Sequence, residues 1–360
     1  FRFFVFCYSV IFAPNPYPII KTIYNSVWLC CTKNPTPLQV WDFRYNSCMK
    51  KTKDNIKNSK NKYHVKNWSE YNKALIKRGS LTLWISDDIE EWWEGEGHYT
   101  YSDKAIEITL TLKAVYQLTL RSSVGFIQSI FQLSGTKLSS PDYTTLSRRG
   151  KKDNVILRSS QKETTDIILD STGVKVFGEG EWKVRKHGWS KRRTWKKIHI
   201  GIDSSGEIRA VAITGNNTHD SSVVDDILNQ EKAPITDFYG DGAYDTYSVY
   251  ETLLSRGTTG FHIPPQKNAI IKIHGNAKTE RYPRDENLRA IRKSSRKKWK
   301  EKSGYHTRSL GETVMYRYKT TFGDHMSFRT DNSQKNEVLI KCNILNTFHF
   351  LGTPNSCIET

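Results

Sequence analysis

The chain has 360 residues, enough to bury a full hydrophobic core and to form two domains. Lys and Arg exceed Asp and Glu by 18 and no apolar segment is long enough to span a bilayer, so the charge favours a nucleic acid partner over a membrane. Six cysteines form no C-x-x-C pair, which argues against a zinc knuckle or a disulfide framework and fits a reducing cytoplasm. Aromatic residues, 12% of the chain, are interleaved with the basic runs and favour DNA or RNA, although a basic protein kept soluble by its charge is the alternative.

Residues 1–48 differ from the sequence that follows them. The chain begins with Phe1, its first methionine is Met49, and four of the six cysteines precede that methionine. We interpret residues 1–48 as translated upstream sequence or a disordered extension, with the genuine start at Met49. A genuine hydrophobic extension is the alternative.

Residues 49–150 have the pattern of a mostly helical region. A basic, polar arm at 49–66 precedes a segment of amphipathic helical spacing that starts at Trp68. Two denser apolar segments, 106–120 and 122–133, are each long enough for a helix, and the second has a serine at its cap position.

A short basic helix is predicted at 142–149, after the turn-like segment SGTKLSSP. It begins with an acidic cap and ends in two arginines. A helix, a turn and a short basic helix match the helix-turn-helix motif, whose second helix enters the major groove. The residues that would then face DNA are Thr144, Thr145, Arg148 and Arg149. An all-helical bundle with a charged end explains the pattern equally well.

From residue 151 the pattern changes from helices to strands. Apolar or alternating runs bounded by turn residues predict strands at 166–169, 198–202, 208–214, 236–240 and 261–263. The second and third of these form a β-hairpin, and Asp245 is predicted to cap a helix before the last strand. This order predicts an α/β fold, with a mixed sheet flanked by helices, over 151–360.

Three acidic residues occupy matching places in this pattern. Asp170 is predicted to end the first strand and Asp241 the fourth, whereas Glu312 comes later on a helix. Carboxylates at strand ends of an α/β sheet are where ligands are usually held, and oxygen ligands without His or Cys suit Mg²⁺ or Mn²⁺. Such a set can hold two ions about 4 Å apart for phosphodiester chemistry. Taken singly, each acid also fits a cap or a turn, and His219-Asp220 fits either a further ligand or a cap.

The segment around the third acid carries a specific spacing. At helical pitch, Tyr305, Arg308, Glu312 and Lys319 fall on one stripe of a helix. An ordinary solvated face with an Arg308–Glu312 pair is the alternative.

A basic loop rich in tryptophan is predicted at 182–197. Its basic side chains can contact phosphate and its indoles can stack on unpaired bases, so we expect it to bind DNA. The residues selected from it are Trp189, Arg192, Arg193 and Lys196. A charged loop with indoles buried in the core is the alternative. A second basic run, 293–302, precedes the helix of the third acid and is expected to contact the DNA backbone.

Together these motifs resemble the DDE transposases of bacterial insertion sequences, in the insertion-sequence-four and -five superfamily and its insertion-sequence-five group. The third acid of that family lies in the pattern Y-x2-R-x3-E-x6-K, which the helical stripe matches without a gap. The segments ILDSTGVKVFG, with Asp170, and YGDGAYD, with Asp241, are similar to its first and second acid motifs. The resemblance covers roughly Trp68 to the C-terminus and is specific.

The resemblance implies a ribonuclease H-like catalytic domain at 151–360, preceded by a helical DNA-binding region at 49–150. Asp170, Asp241 and Glu312 would be the catalytic metal ligands, for two Mg²⁺ or Mn²⁺ ions. The family cuts DNA at terminal inverted repeats with water and joins the freed 3′-hydroxyl to target DNA, and both steps are in-line phosphoryl transfers.

The resemblance also implies roles for the other motif residues and a set of partners. Arg308 and Lys319 would neutralise phosphate, and Tyr305 would position the strand. DNA is the expected partner, bound by a homodimer or higher oligomer in the cytoplasm at the nucleoid. Two alternatives remain: an inactive or domesticated DNA-binding protein derived from a transposase, and a metal-dependent nuclease that cuts without joining.

Overall fold

The chain alternates helices and strands in a computed structural model that describes residues 63–152, 155–176, 195–273 and 281–358. The strands are β1 (Tyr63–Val65), β2 (Thr165–Val176), β3 (Trp195–Ile202), β4 (Ile208–Gly215), β5 (Ile235–Tyr239), β6 (Gly260–His262), β7 (His325–Met326) and β8 (Ser356–Ile358). The helices are α1 (Trp68–Arg78), α2 (Ile89–Trp92), α3 (Asp103–Val115), α4 (Leu120–Ser134), α5 (Tyr143–Arg149), α6 (Val224–Leu228), α7 (Tyr247–Ser255), α8 (Pro283–Lys293), α9 (Arg296–Lys302), α10 (Ser309–Phe322) and α11 (Asp331–Leu351). Short 3₁₀ turns lie at Leu81–Leu83, Asp220–Val223, Gly242–Tyr244 and Tyr305–Arg308.

A mixed sheet forms the centre of the fold. In the described ranges its strand order is β4-β3-β2-β5-β6, and β7 pairs with the end of β2. Strands β2, β3 and β4 are antiparallel, whereas β5 runs parallel to β2 and β6 parallel to β5. The predicted hairpin is confirmed as β3 and β4. Asp203 accepts hydrogen bonds from the N–H groups of Ser205 (2.9 Å) and Glu207 (3.1 Å), and Gly206 takes the positive φ (91°) that the turn requires.

Both faces of the sheet are buried by helices. Side chains alternate along β2, so Ile168 packs against one face with α10 and α11, while Ile167 and Leu169 pack against the other with α6 and α7. The structure thus confirms the predicted α/β fold with a mixed sheet flanked by helices, which is consistent with a ribonuclease H-like domain.

The helical region shares a core with the sheet. Ile106 and Leu110 of α3 and Leu146 of α5 belong to the same hydrophobic cluster as Ile168, and the described residues fall in one compact unit, Asn61–Thr360. The domain boundary predicted after residue 150 stays a prediction. The helices before it share their hydrophobic core with the sheet after it. No helix in the described part of the chain is long and apolar enough to cross a bilayer.

Two predicted helix caps are wrong. Helix α4 begins one turn earlier than predicted, and Thr119 caps it by accepting a hydrogen bond from the N–H of Ser122 (3.1 Å). Thr246, rather than Asp245, caps α7. The carboxylate of Asp245 is buried and bound to Arg284 of α8 (2.7 Å), a long-range pair that local spacing does not show.

Candidate active site

Asp170 lies within β2 and does not end it, contrary to the sequence prediction. The strand continues to Val176 because the polar residues after Asp170 pair with β3, for example Ser171 with His199. Alternation along the strand directs Asp170 to the same face as Ile168, which is the face covered by α10.

Asp241 emerges beside Asp170 at the same edge of the sheet. It follows β5, the parallel neighbour of β2, as predicted. The register pairs Ile168 with Tyr239; Asp170 lies two residues further along β2, and Asp241 lies two residues after Tyr239, just beyond the end of β5. The carboxylate of Asp241 caps the following 3₁₀ turn by accepting a hydrogen bond from the N–H of Ala243 (2.8 Å).

Glu312 reaches the site on the first turn of α10. Gly311 makes this approach close: a Cβ at this position would lie 3.1 Å from the Cβ of Asp170 and 3.5 Å from its Oδ2. The helix therefore packs directly on β2 at the position of the first acid. The sequence marks Gly311 only as a glycine immediately before the acid in a predicted helix, which does not by itself predict a close contact.

Arg308 lies between two of the acids. Its guanidinium donates a hydrogen bond to Glu312, and its Nη1 is 3.8 Å from the Oδ2 of Asp170. The guanidinium carbon is 5.9 Å from the centroid of the Tyr305 ring. One cation thus offsets the charge of two carboxylates.

The predicted single stripe is wrong in its first half. Tyr305 and Arg308 form a 3₁₀ turn, and the α-helix begins only at Ser309. Gly304 precedes the turn with a positive φ of 67°, which ends the preceding segment and reorients the chain. Lys319 is half-buried and lies seven residues after Glu312, on the same face of α10.

The charges of the other two acids act on Asp170. Burial raises the pKa of the Asp170 carboxyl, and the negative charges of Asp241 and Glu312 raise it further. The Ser171 N–H and Arg308 oppose that shift. Such a set of carboxylate oxygens has the donor chemistry that Mg²⁺ prefers. In the described residues, however, no group of three or more His, Cys, Asp or Glu side chains is already arranged to hold a metal ion.

A basic helix adjoins this site. Trp299 of α9 is buried, its ring lies 5.9 Å from that of Tyr305, and its Nε1 donates a hydrogen bond to Asn287 (3.2 Å). The Nζ of Lys300 lies 4.8 Å from the centroid of the Tyr305 ring. Tyr305 therefore contacts both the second basic run, through Trp299 and Lys300, and Arg308 beside the acids. Its own pKa is raised by burial, with contributions from Asp241 and Glu312.

The other predicted DNA-binding residues are spread over the molecule. Arg148 is exposed on α5, whereas Arg149 has little exposed side-chain surface and donates hydrogen bonds to Asp103 and to the Tyr101 carbonyl (2.9 Å). Lys196 on β3 pairs with Asp331. The remaining three, Trp189, Arg192 and Arg193, lie outside the described residues.

A mixed sheet flanked by helices, with Asp241 and Glu312 close enough to act on Asp170, has the carboxylate chemistry used by enzymes that transfer phosphoryl groups of nucleic acids with divalent metal ions. Two family models, both described as Transposase DDE domain, match the chain over residues 76–179 and 161–347. The second match alone covers more than half of the sequence. The chain therefore belongs to the DDE transposase family, whose members cleave and transfer DNA and generally use divalent metals such as Mg²⁺. Its insertion-sequence group stays a prediction.

The contact at Gly311 yields the first testable prediction. We expect Gly311→Ala to displace α10 from β2 and to reduce DNA cleavage by roughly 10-fold or more, because small displacements of catalytic groups are costly. Its overpacking cost of about 1–3 kcal/mol is partly offset by a gain of up to about 1 kcal/mol in helix propensity. The matched control is Gly125→Ala in α4, where the added Cβ meets open space. Full cleavage by the Gly311→Ala protein would show that the close contact is not needed.

The raised pKa of Asp170 yields a second prediction. Because the pKa is higher in the folded chain than in the unfolded chain, the ionised carboxyl costs stability above the folded pKa, and this cost disappears below about pH 3.9. Asp170→Asn should therefore raise the melting temperature of the metal-free protein at pH 7 and leave it nearly unchanged at the lowest accessible pH.

Asp324→Asn is a control in which the change in stability should have the opposite sign. A hydrogen bond from Lys175 lowers the pKa of Asp324, so the ionised carboxyl stabilises the fold there. That variant should be less stable than the wild type at pH 7. Equal melting temperatures of wild type and Asp170→Asn at both pH values would contradict the assigned burial of Asp170.

Proposed function

We propose that this protein binds the terminal inverted repeats of its insertion sequence and catalyses their cleavage and strand transfer. Asp170, Asp241 and Glu312 are the metal ligands in this proposal. The observation that carries it is the convergence of these acids at one edge of the sheet: Asp170 lies in β2, Asp241 follows the adjacent parallel strand β5, and Glu312 lies on a helix packed against β2.

The chain would hold two divalent ions, Mg²⁺ or Mn²⁺, which supply an activated attacking oxygen and stabilise the leaving oxygen of the phosphodiester. The side chain of Glu312 is 59% exposed, so its carboxylate is accessible from solvent. Arg308 and Lys319 neutralise DNA phosphate, and Tyr305 fixes the strand beside the acids. For this, Arg308 leaves its pair with Glu312, and the carboxylate oxygens become available as ligands.

The DNA surface extends from the acids over the neighbouring basic elements. Exposed lysines 297, 298 and 302 of α9 contact the backbone, and Arg148 contributes from the helical region. The proposed set of DNA-contacting residues also includes Lys196, Arg149, Trp189, Arg192 and Arg193. Because the chain has a formal net charge of +18, its affinity for DNA should fall strongly as the salt concentration rises. We further propose a homodimer or higher oligomer on DNA and a cytoplasmic, nucleoid-associated location.

The direct test is incubation of the full chain and Mg²⁺ with a DNA fragment that spans its own gene and flanks. Wild type should cut at a pair of inverted repeats and join a labelled 3′-hydroxyl end to target DNA. Asp241→Asn retains an oxygen that can cap the turn, but removes the charge. Loss of an outer partner of a metal ligand costs up to about 100-fold, and loss of the ligand itself should cost more. Asp241→Asn should therefore lower cleavage by more than about 100-fold and leave DNA affinity nearly unchanged.

Asp225→Asn, an exposed position on α6, is the matched control and should cut like wild type. Loss of both binding and cleavage in Asp241→Asn would make Asp241 a structural residue. Cutting without joining would identify a nuclease, and tight, salt-sensitive binding without cuts would identify an inactive DNA-binding protein.

A further inference from the structure

Ser171 connects the first acid to a charged pair on the opposite face of the sheet. Its backbone N–H donates a hydrogen bond to the Oδ1 of Asp170 (2.9 Å), and its Oγ donates to the Oδ2 of Asp220 (2.9 Å). Because neighbouring side chains of a strand point to opposite faces, Asp170 faces α10 while Ser171 faces the 3₁₀ turn that contains Asp220.

Asp220 is held as a charged group by two donors. Its Oδ1 accepts a hydrogen bond from the Nζ of Lys197 (2.9 Å), which also donates to the carbonyl of Thr218 (2.9 Å). Burial acts to raise the pKa of Asp220, but the hydrogen bonds from Lys197 and Ser171 outweigh it and hold the pKa below its usual value. The side chain is 18% exposed, so the pair is only partly screened by solvent.

The sequence left Asp220 as either a further ligand or a cap, and the structure supports a different role. His219 caps the turn, with its Nδ1 accepting a hydrogen bond from the N–H of Ser221 (3.3 Å). Both carboxylate oxygens of Asp220 are engaged by Ser171 and Lys197, on the face away from Asp170.

Tyr244 gives an independent indication that Asp220 belongs to the site. Its side chain is 1% exposed, and its phenol oxygen has no hydrogen-bond partner among the described residues. Burial raises the pKa of Tyr244, and the carboxylates of Asp220, Asp241 and Asp170 raise it further, in that order. Tyr244 also belongs to the turn that Asp241 caps. An unpaired buried phenol thus lies in the field of Asp220 and of both strand acids.

We propose that Asp220, neutralised by Lys197, is a positioning residue that fixes Ser171 from the opposite face of β2 and thereby holds the carboxylate of Asp170 ready to bind metal. This inference rests on the proposed function, because it assigns an outer partner to one of the proposed metal ligands. Loss of such partners typically weakens metal affinity or activity 10–100-fold.

The test measures the affinity of the DNA-free, full-length protein for Mn²⁺ by calorimetry. Asp220→Asn preserves the shape of the side chain, and Ser171→Ala removes the hydroxyl but keeps the backbone N–H. Each should weaken Mn²⁺ binding by roughly 10-fold or more, and the double variant should be no weaker than the more impaired single variant, since both changes break one chain of contacts. Asp225→Asn should bind like wild type.

A cleavage assay separates positioning from a merely structural role. The Mn²⁺ concentration for half-maximal cleavage should rise in Asp220→Asn, while the rate at saturating Mn²⁺ changes little. A lower melting temperature with unchanged Mn²⁺ affinity would overturn the inference. If Asp220→Asn does not fold, the test uses Ser171→Ala alone. Unchanged Mn²⁺ affinity in Ser171→Ala would then overturn the inference.

Asp170→Asn distinguishes this inference from the proposed function. Strong loss of Mn²⁺ binding in Asp170→Asn, together with wild-type binding in Asp220→Asn, would reject the positioning role and keep the metal site. Wild-type binding in Asp170→Asn would reject the metal site itself.

Discussion

The contact between helix α10 and strand β2 is the constraint on which the site depends. Gly311 has no side chain, so the helix lies against Asp170, while Val314 and Met315 bury the rest of that face in the core shared with Ile168. Hydrophobic packing therefore brings Glu312 beside Asp170, although the two carboxylates repel each other. Arg308 offsets this repulsion, and burial is the main cause of the raised pKa of Asp170, with smaller contributions from Asp241 and Glu312. A partly buried carboxylate with a raised pKa costs stability, as groups of functional sites often do.

The site is supported from both faces of one strand. On one face lie Glu312 and Arg308, and on the other lie Asp220 and Lys197, with Ser171 as the connection between them. Asp241, which follows the parallel neighbour β5, is the second acid at the same edge. A change on either face can therefore alter the carboxylate of Asp170 without touching DNA or metal.

The sequence predicted what is local and missed what is long-range. The hairpin, the helix that Asp142 caps and the position of Asp241 after a strand depend on neighbouring residues alone, and the structure confirms them. The extension of β2 depends on pairing with β3, so a Ser-Thr-Gly segment was mistaken for the end of the strand. The first half of the helical stripe was mistaken for α-helix because helical spacing does not separate it from a 3₁₀ turn. The pair of Ser171 and Asp220 spans 49 positions of sequence and has no local signal.

The most direct test of the central claim is hydroxyl-radical cleavage of the protein by Fe²⁺ bound in place of Mg²⁺. With ascorbate and peroxide, bound Fe²⁺ cuts the backbone close to its ligands. If the three acids hold the ions together, cuts should appear near residues 170, 241 and 312, decrease as Mg²⁺ is added, and disappear in Asp170→Asn. Cuts confined to other segments, or cuts at these three places that persist in excess Mg²⁺, would show that the three acids do not hold the ions together.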